Sequence, residues 1–254
     1  MLKTDQKRYP VTKANKDQLF ATPSKQIADF VFDQSVVDVF PDMINRSVPG
    51  YGSIINTIGL LAQQYIQSDS NAYDLGCSLG AGSLAMAQGA GVDKFQVIGV
   101  DNSHAMVERG TEMMQQSPFS DFITLQHGDL CDQNIENASM AVLNFTLQFI
   151  SPQKRLAVLK NIYQGMRPGA ALVLSEKICF DDVFSQQTNE QLHHQFKQTN
   201  GYSALEISQK RTALENVLEP ETLDTHFQRI HEAGFQHCNT WFQCFNFASL
   251  IAIK

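Results

Sequence analysis

The middle of the chain alternates between short β-rich runs and helical stretches, and this alternation constrains the fold more than any other feature. The predicted strands are Ala72–Leu75, Phe95–Val100, Phe122–Gln126, Met140–Leu143 and Ala170–Leu174. Helical patterns lie between them at Ala81–Gln88, at Ser103–Met114, and from Ser151-Pro152 to the breaker Arg167-Pro168-Gly169. Such alternation favours an α/β fold, in which right-handed crossovers build a parallel sheet.

Segments on either side of this alternation complete the expected organisation. Helices are predicted over Gln34–Val48 with a break at Pro41, from Tyr51 onward, over a helical insertion at about 184–218, and over Pro220–Ala233. Two closing strands, Gln236–Phe242 and Phe245–Ile253, are close enough in sequence to predict an antiparallel edge hairpin. We expect a mobile tail over residues 1–18 and a single domain over 19–254.

Charge and cysteine content narrow the possible functions. The chain of 254 residues has a formal net charge of -7, and an acidic surface disfavours direct binding of nucleic acid. Its 5 cysteines include no C-x-x-C pair, so neither a disulfide framework nor a metal site is expected. The polar N-terminus resembles no signal peptide, and the apolar runs are too short to cross a bilayer. We therefore expect a cytoplasmic protein without a membrane anchor.

A glycine-rich turn follows the first predicted strand, in the sequence Tyr73-Asp74-Leu75-Gly76-Cys77-Ser78-Leu79-Gly80-Ala81-Gly82. Asp101, Asp129 and Asn144 end the next three strands, at the carboxyl edge where open α/β sheets bind ligands. An acidic residue at the end of the second strand can accept hydrogen bonds from ribose hydroxyls. The pattern predicts a nucleotide-type ligand at this edge. A tight strand-to-helix turn without a ligand is the alternative.

The spacing of the glycines distinguishes two kinds of nucleotide turn. A dinucleotide pattern, Gly80-x-Gly82-x-x-Ala85, starts too far beyond the strand to form a phosphate-binding turn. The frame Asp74-x-Gly76-x-Ser78-x-Gly80 instead resembles the first motif of class I methyltransferases, although Ser78 stands where that family commonly has Gly. This resemblance implies a Rossmann-like, mostly parallel seven-stranded sheet with an antiparallel C-terminal strand.

A closer resemblance covers about residues 18–254. Its segments are Val39–Ile44, Arg46–Tyr51, Tyr73–Leu79, Asn137–Met140, Leu143–Phe149, Leu174–Lys177, Asn200–Ser203, Ser208–Arg211, Leu214–Val217 and Trp241–Phe247. They look like the carboxy-S-adenosylmethionine synthase family. The resemblance implies conversion of S-adenosylmethionine and prephenate to carboxy-S-adenosylmethionine and phenylpyruvate, which supplies the cofactor for wobble uridine modification of tRNA. S-adenosylmethionine would be a substrate, and no metal is implied.

The resemblance also implies roles for individual residues. Tyr51 would lie beside S-adenosylmethionine, and Asp74 would orient its methionine amino end. Gly76, Cys77 and Ser78 would contact the methionine end, and Asn144 would lie at the reacting end. The ribose would be bound by Asp101 and Asn102, and the adenine by Asp129 and Leu130. Arg211 matches an arginine that pairs with the new carboxylate and reaches it from a partner subunit, which implies a homodimer. The alternative for Arg211 is a helix-surface ion pair with Glu215.

Other residues and other functions remain open at this point. Glu176 is a candidate general base or a solvated strand end. The pair His193-His194 is interpreted as a polar helix face, because adjacent helical residues point about 100° apart. Tyr202 and Trp241 line either a pocket for the prephenate ring or the core. The competing functions are a conventional small-molecule methyltransferase and a non-catalytic partner of a tRNA-modifying enzyme.

Overall fold

A computed structural model of the chain describes residues 15–24 and 26–254. Strands and helices alternate from β1 (Ser70–Leu75) through α4 (Ala81–Gly89), β2 (Phe95–Asp101), α5 (His104–Gln115), β3 (Ile123–His127), β4 (Ala138–Asn144), α6 (Pro152–Gly165) and β5 (Met166–Lys177). Three helices precede this run: α1 (Gln34–Val37), α2 (Phe40–Ser47) and α3 (Tyr51–Tyr65). The chain then continues through α7 (Val183–Thr199), α8 (Ala204–Leu214), α9 (Leu223–Ala233), β6 (His237–Cys244) and β7 (Phe247–Ile253).

The strands described form one seven-stranded sheet in the order β3-β2-β1-β4-β5-β7-β6. The strands β1 to β5 pair in parallel, whereas β7 is antiparallel to both β5 and β6. The chain direction across the sheet reverses between β1 and β4, and ligands of open α/β folds bind at such a switch point. The predicted fold class and the antiparallel closing hairpin are confirmed.

Two apolar clusters hold the helices to opposite faces of the sheet. On one face Ile54 and Ile58 of α3 pack with Met86 of α4 against strand residues such as Met140. On the other face Leu159 of α6 and Ile230 of α9 belong to the second cluster. Burial of these side chains, each worth about 1.5–3 kcal/mol, holds the helices so that the carboxyl ends of the strands share one rim.

Proline and glycine signals gave two boundary errors. The helix before β5 ends at Gly165, and Arg167-Pro168-Gly169, which we expected to end it, belongs to β5. The register between β4 and β5 shifts at this point, so Pro168 lies where an amide donor is not needed. The break predicted at Pro41 is present but lies before that residue, between α1 and α2, and Pro41 occupies the first turn of α2, a position that proline favours.

We expected a mobile tail over residues 1–18, but the last part of this segment packs against the folded protein. Residues 1–14 lie outside the part of the chain that the structure describes. Asp17 is buried and its backbone N–H donates to Asp42, while its carboxylate accepts the hydroxyl of Tyr202. This residue therefore belongs to the folded protein. Among the described helices, none is both long enough and apolar enough to span a membrane.

Candidate active site

A cavity of about 870 Å³ opens at the carboxyl rim of the sheet, over the ends of β1, β2 and β4. Every residue predicted at the S-adenosylmethionine site lines it: Tyr51, Asp74, Gly76, Cys77, Ser78, Asp101, Asn102, Asp129, Leu130, Asn144 and Arg211. The helices α2, α7 and α8 close its other side. Residues that are far apart in sequence thus share one concave site.

The turn after β1 has an unusual backbone. Gly76 and Gly80 have φ of 81° and 83°, and Ser78 between them has φ of 48°, in the left-handed region that favours glycine. A Cβ on Gly76 would lie 2.3 Å from the side chain of Thr146, so this position also requires glycine for space. The turn therefore brings its backbone against the cavity without a side chain in the way.

Asp74 supplies a buried carboxylate beneath this turn. The hydroxyl of Ser83 donates to its Oδ2 at 2.7 Å, and a Cβ on Gly82 would come within 2.8 Å of the same oxygen. Burial raises the pKa of Asp74 to about 6, with the Ser83 hydrogen bond acting in the opposite direction. Among the described residues, no Lys, Arg or His lies within ion-pair distance of this carboxylate. An ammonium group in the cavity would supply the missing charge.

Asp101 ties two segments of the rim together. One carboxylate oxygen accepts the Ser78 N–H at 2.8 Å, and the other accepts the Ser103 N–H at 2.9 Å. Burial raises the pKa of Asp101, and these two amides oppose the shift. A carboxylate oxygen has more than one lone pair, so both can still accept hydroxyl donors from a ligand. Asp129 is held similarly, by the Cys131 N–H at 2.9 Å.

Two asparagines lining the cavity have an unpaired oxygen. The Oδ1 atoms of Asn144, at the end of β4, and of Asn246, between β6 and β7, are buried and have no hydrogen-bond partner within the described chain. A buried polar atom without a partner costs about 1–3 kcal/mol. The cavity therefore suits a ligand with polar groups next to β4.

Glu176 is not placed as a general base. It lies behind the cavity wall, buried, and its two oxygens accept the backbone N–H groups of Leu147 and Gln148 at 2.9 Å each. Burial raises its pKa to about 8 although both amides act in the opposite direction. This geometry argues against a catalytic role for Glu176, and the burial of its side chain contradicts the solvated alternative. The residue fixes the 3₁₀ turn Leu147–Phe149, next to Asn144.

The aromatic candidates for a ring pocket belong to the packing of the protein. The guanidinium of Arg46 lies 3.8 Å from the ring centre of Tyr202, whose hydroxyl donates to Asp17. Trp241 packs with the apolar cluster on the α3 face of the sheet. Both residues lie outside the cavity wall, so the core interpretation is the one that agrees with the structure.

The interpretation of His193 as part of a polar helix face is also wrong. Its ring is buried in the cavity wall, where Nε2 lies 2.8 Å from the carbonyl oxygen of Ser47, and burial lowers its pKa to about 3. The neighbouring His194 lines the cavity as well. Over residues 15–24 and 26–254, no group of His, Cys, Asp and Glu side chains is arranged to hold a metal ion.

Sequence reasoning missed three lysines that lie with Arg211 on the same wall. Lys177 at the end of β5, Lys197 on α7, and Lys210 with Arg211 on α8 all line the cavity. No ion pair joins Arg211 to Glu215 in the described chain, so the surface-pair alternative is absent there. The spacing of Glu190, His193 and Lys197 along one face of a helix was a signal that could have revealed part of this group.

Comparison with known proteins agrees with this geometry. A family model described as "Methyltransferase domain" matches residues 72–169. A protein from Aliivibrio fischeri described as carboxy-S-adenosyl-L-methionine synthase is 52% identical over 95% of this chain and 100% of its own length. A protein of the same description from Geobacter metallireducens is 56% identical over 94% of this chain and 98% of its own length.

Solved structures share the fold at much lower identity. Human N-acetylserotonin methyltransferase in complex with S-adenosylmethionine aligns with a TM-score of 0.58 and 15% identity, over 95% of this chain and 63% of that one. A putative S-adenosylmethionine-dependent methyltransferase from Methanococcus maripaludis aligns at 0.59 and 17%, over 92% and 97%. The relatives that are more than half identical over nearly the whole chain establish the family: this chain belongs to the carboxy-S-adenosyl-L-methionine synthases, which are transferases that take S-adenosylmethionine as substrate.

Proposed function

We propose that the protein converts S-adenosylmethionine and prephenate to carboxy-S-adenosylmethionine and phenylpyruvate. The observation that carries the proposal is the combination, in one cavity, of an acidic rim suited to an adenosyl sulfonium and a cationic wall suited to carboxylates. A conventional methyltransferase needs the rim but has no general need for the wall. A carboxyl-transferring enzyme needs both, because its second substrate and its product carry carboxylates.

The rim residues have proposed roles that follow from their contacts. Asp74 would pair with the methionine ammonium, which its lack of a cationic partner among the described residues supports. Asp101 would accept the ribose hydroxyls, with Asn102 beside it, and Asp129 and Leu130 would contact the adenine. Tyr51, Gly76, Cys77 and Ser78 would enclose the methionine end. Asn144, whose Oδ1 is unpaired in the described chain, would face the reacting methyl group.

The reaction balances without an external oxidant or reductant. The bond between the prephenate ring and its carboxylate breaks, its electron pair makes the ring aromatic, and hydroxide leaves from the opposite ring carbon. Carbon dioxide and phenylpyruvate result. The methyl group, acidified by the adjacent sulfonium, loses a proton, and the proton and the hydroxide sum to one water. The remaining carbanion attacks carbon dioxide and forms the new carboxylate.

Arg211 is the residue that we assign to that new carboxylate. A guanidinium donates two parallel hydrogen bonds to a carboxylate, and a charge formed away from bulk water requires such a partner. Its place on the cavity wall supports the role. We further propose that the protein is a cytoplasmic homodimer. The family resemblance implies that Arg211 of one subunit reaches the site of the other, whereas in the single chain Arg211 lines its own cavity, and the mixed-dimer experiment decides between the two arrangements. It would supply carboxy-S-adenosylmethionine to the enzyme that modifies wobble uridine, without itself binding tRNA.

The test is the mass of the nucleoside product. The protein is incubated with S-adenosylmethionine and prephenate, and the nucleosides are separated and weighed. We expect a species heavier than S-adenosylmethionine by the mass of one carboxyl group less one hydrogen, formed together with an equal amount of phenylpyruvate. Formation of S-adenosylhomocysteine in its place would support a conventional methyltransferase and overturn the proposal.

A further inference from the structure

Lys177 and Lys197 are two cations that line the same cavity. Lys177 ends β5 and pairs in the sheet with Phe247, and the ring of His193 packs edge-on against Phe247 at 4.8 Å between centres. Lys197 lies on α7, one helical turn after His193. The hairpin and α7 therefore hold the two lysines on the same wall, and both line the cavity.

Neither lysine has an ion-pair partner in the part of the chain that the structure describes, although the charge of Glu190 acts on Lys177. Within the described residues, no carboxylate lies within 4.0 Å of either ammonium group. Neither ammonium group donates a hydrogen bond there, and the bond from Lys177 to Gln148 uses its backbone N–H. Lys210 differs, because its ammonium lies 3.8 Å from Asp17 and 3.1 Å from the Ser47 hydroxyl. Lys210 is therefore committed to the fold, while Lys177 and Lys197 have donors available for a ligand.

The pair is costly without an anion. Burial, together with the charges of Lys177, Lys210 and Arg211, lowers the pKa of Lys197 to about 8. Burial also lowers the pKa of Lys177, with Arg211 adding to the shift and Glu190 opposing it. Two partly desolvated cations repel each other, and a bound carboxylate would relieve both the repulsion and the desolvation.

We propose that Lys177 and Lys197 bind the 2-oxo-carboxylate side chain of the second substrate, the group that this substrate keeps when it loses carbon dioxide. The inference rests on the proposed function for the identity of that substrate. The subsite is separate from Arg211, which we assign to the carboxylate formed on the sulfonium ligand. The subsite would hold the 2-oxo acid group of the second substrate before the reaction and the same group of its decarboxylated product afterwards.

The choice between the two carboxylates of the substrate follows from the chemistry. A carboxylate that leaves as neutral carbon dioxide loses its ion pairs on the way to the transition state. Cations on that group would therefore stabilise the bound substrate more than the transition state and would slow the reaction. Cations on the retained carboxylate stabilise both states equally, so they add binding without raising the barrier. The paired lysines are thus suited to the retained group.

Binding of phenylpyruvate tests the subsite without turnover. The protein is first saturated with S-adenosylhomocysteine, which has no methyl group to react, and phenylpyruvate is titrated by calorimetry. We expect Lys177→Gln and Lys197→Gln each to raise the Kd for phenylpyruvate roughly 10- to 100-fold, the usual effect of losing a hydrogen bond to a charged group. The Kd for S-adenosylhomocysteine should change by less than about 2-fold, and Lys197→Arg should restore most of the phenylpyruvate affinity.

Controls separate this proposal from its alternatives. Lys160→Gln, which removes an exposed lysine on α6 away from the cavity, should leave both constants unchanged. Urea unfolding of each variant shows whether a loss of affinity reflects a loss of fold. Unchanged phenylpyruvate binding in both glutamine variants overturns the proposal, as does an effect on carboxy-S-adenosylmethionine alone, which would place the lysines on the product carboxylate. A wild-type protein that binds phenylpyruvate through these lysines, but makes no carboxylated product from prephenate, would contradict the proposed function only.

Discussion

The Asp101 carboxylate accepts the backbone N–H of Ser78 at 2.8 Å, so the end of β2 holds the turn that follows β1. The second oxygen of Asp101 holds the Ser103 N–H at 2.9 Å, where Ser103 caps α5. One side chain thus positions two walls of the cavity. Any change that removes one of its acceptor oxygens should affect both the fold and the ligand.

We predict that Asp101→Asn lowers the free energy of unfolding by about 1–3 kcal/mol, because the amide has one acceptor oxygen and leaves one backbone N–H without a partner. It should also weaken S-adenosylmethionine binding, since the turn that meets the ligand loses its anchor. Urea unfolding and calorimetric titration measure the two effects. The exposed Asp93→Asn is the matched control. Equal stability of Asp101→Asn and the wild type would contradict the anchoring role.

The left-handed backbone of Ser78 leads to a second prediction. A side chain at φ 48° costs about 1–2 kcal/mol, while glycine loses about 0.5–1 kcal/mol more backbone entropy on folding. Ser78→Gly should therefore raise the free energy of unfolding by up to about 1.5 kcal/mol.

Ser78→Val is the complementary variant, because a β-branched side chain tolerates this backbone least. It should lower the free energy of unfolding by at least about 1 kcal/mol in the same urea experiment. A stabilised valine variant, or a strongly destabilised glycine variant, would show that the contacts of the serine side chain, and not the backbone conformation, determine how position 78 affects stability.

Much of the rim could be predicted from sequence, because parallel strands end at a common edge. Asp74 is the penultimate residue of a β-rich run, Asp101, Asp129 and Asn144 end or follow others, and the alternation with helices places those ends together. The same argument could not locate Lys197 or His193. They reach the cavity because α7 packs against the closing hairpin, a long-range contact that no local pattern encodes.

The errors have equally local causes. Glu176 follows a strand like the rim residues, yet the loop after β4 folds over it and supplies two amide donors. Proline and glycine at 167–169 resemble a helix stop, but the shifted register of β5 accommodates them. In both cases the decisive partner is on a neighbouring strand or loop, and the residue's own surroundings in sequence carry no sign of it.

Glu176 should make stability depend on pH. Its folded pKa of about 8 lies above the usual 4.5, so between these values the folded protein keeps a proton that the unfolded chain has released. Rising pH therefore favours unfolding over this window, by at most about 1.4 kcal/mol per pH unit. Glu176→Gln removes this dependence. The stability advantage of the wild type over Glu176→Gln should be largest near the acid end of the window and should shrink as the pH rises.

Urea unfolding at several pH values measures this difference, with the exposed Glu232→Gln as control. Glu176→Gln should also lower the free energy of unfolding by about 1–3 kcal/mol at the acid end, because its NH₂ group cannot accept an amide N–H. A variant with wild-type stability at every pH but no turnover would restore the general-base role that the geometry argues against.

Removal of the Arg211 guanidinium should weaken binding of the product much more than binding of S-adenosylmethionine. We expect Arg211→Ala to raise the Kd for carboxy-S-adenosylmethionine roughly 10- to 100-fold, because a carboxylate loses a charged, two-point partner. The Kd for S-adenosylmethionine should change much less, since that ligand lacks the added carboxylate. Calorimetry with both nucleosides measures the two constants. An equal loss of affinity for both nucleosides would mean that Arg211 contacts a part of the molecule that the two ligands share.

We expect Arg211→Ala and Asp74→Asn each to turn over substrate poorly, and mixing the two variants decides which subunit supplies Arg211. Arg211→Ala lacks the guanidinium, and Asp74→Asn lacks the carboxylate proposed to bind the methionine ammonium. In a mixed dimer whose arginine reaches across, the site with intact Asp74 receives Arg211 from its neighbour and works. Random pairing makes half of the dimers mixed, with one working site each, so we expect about a quarter of wild-type turnover. An inactive mixture, with subunit exchange verified by mass, would mean that Arg211 serves the cavity of its own chain.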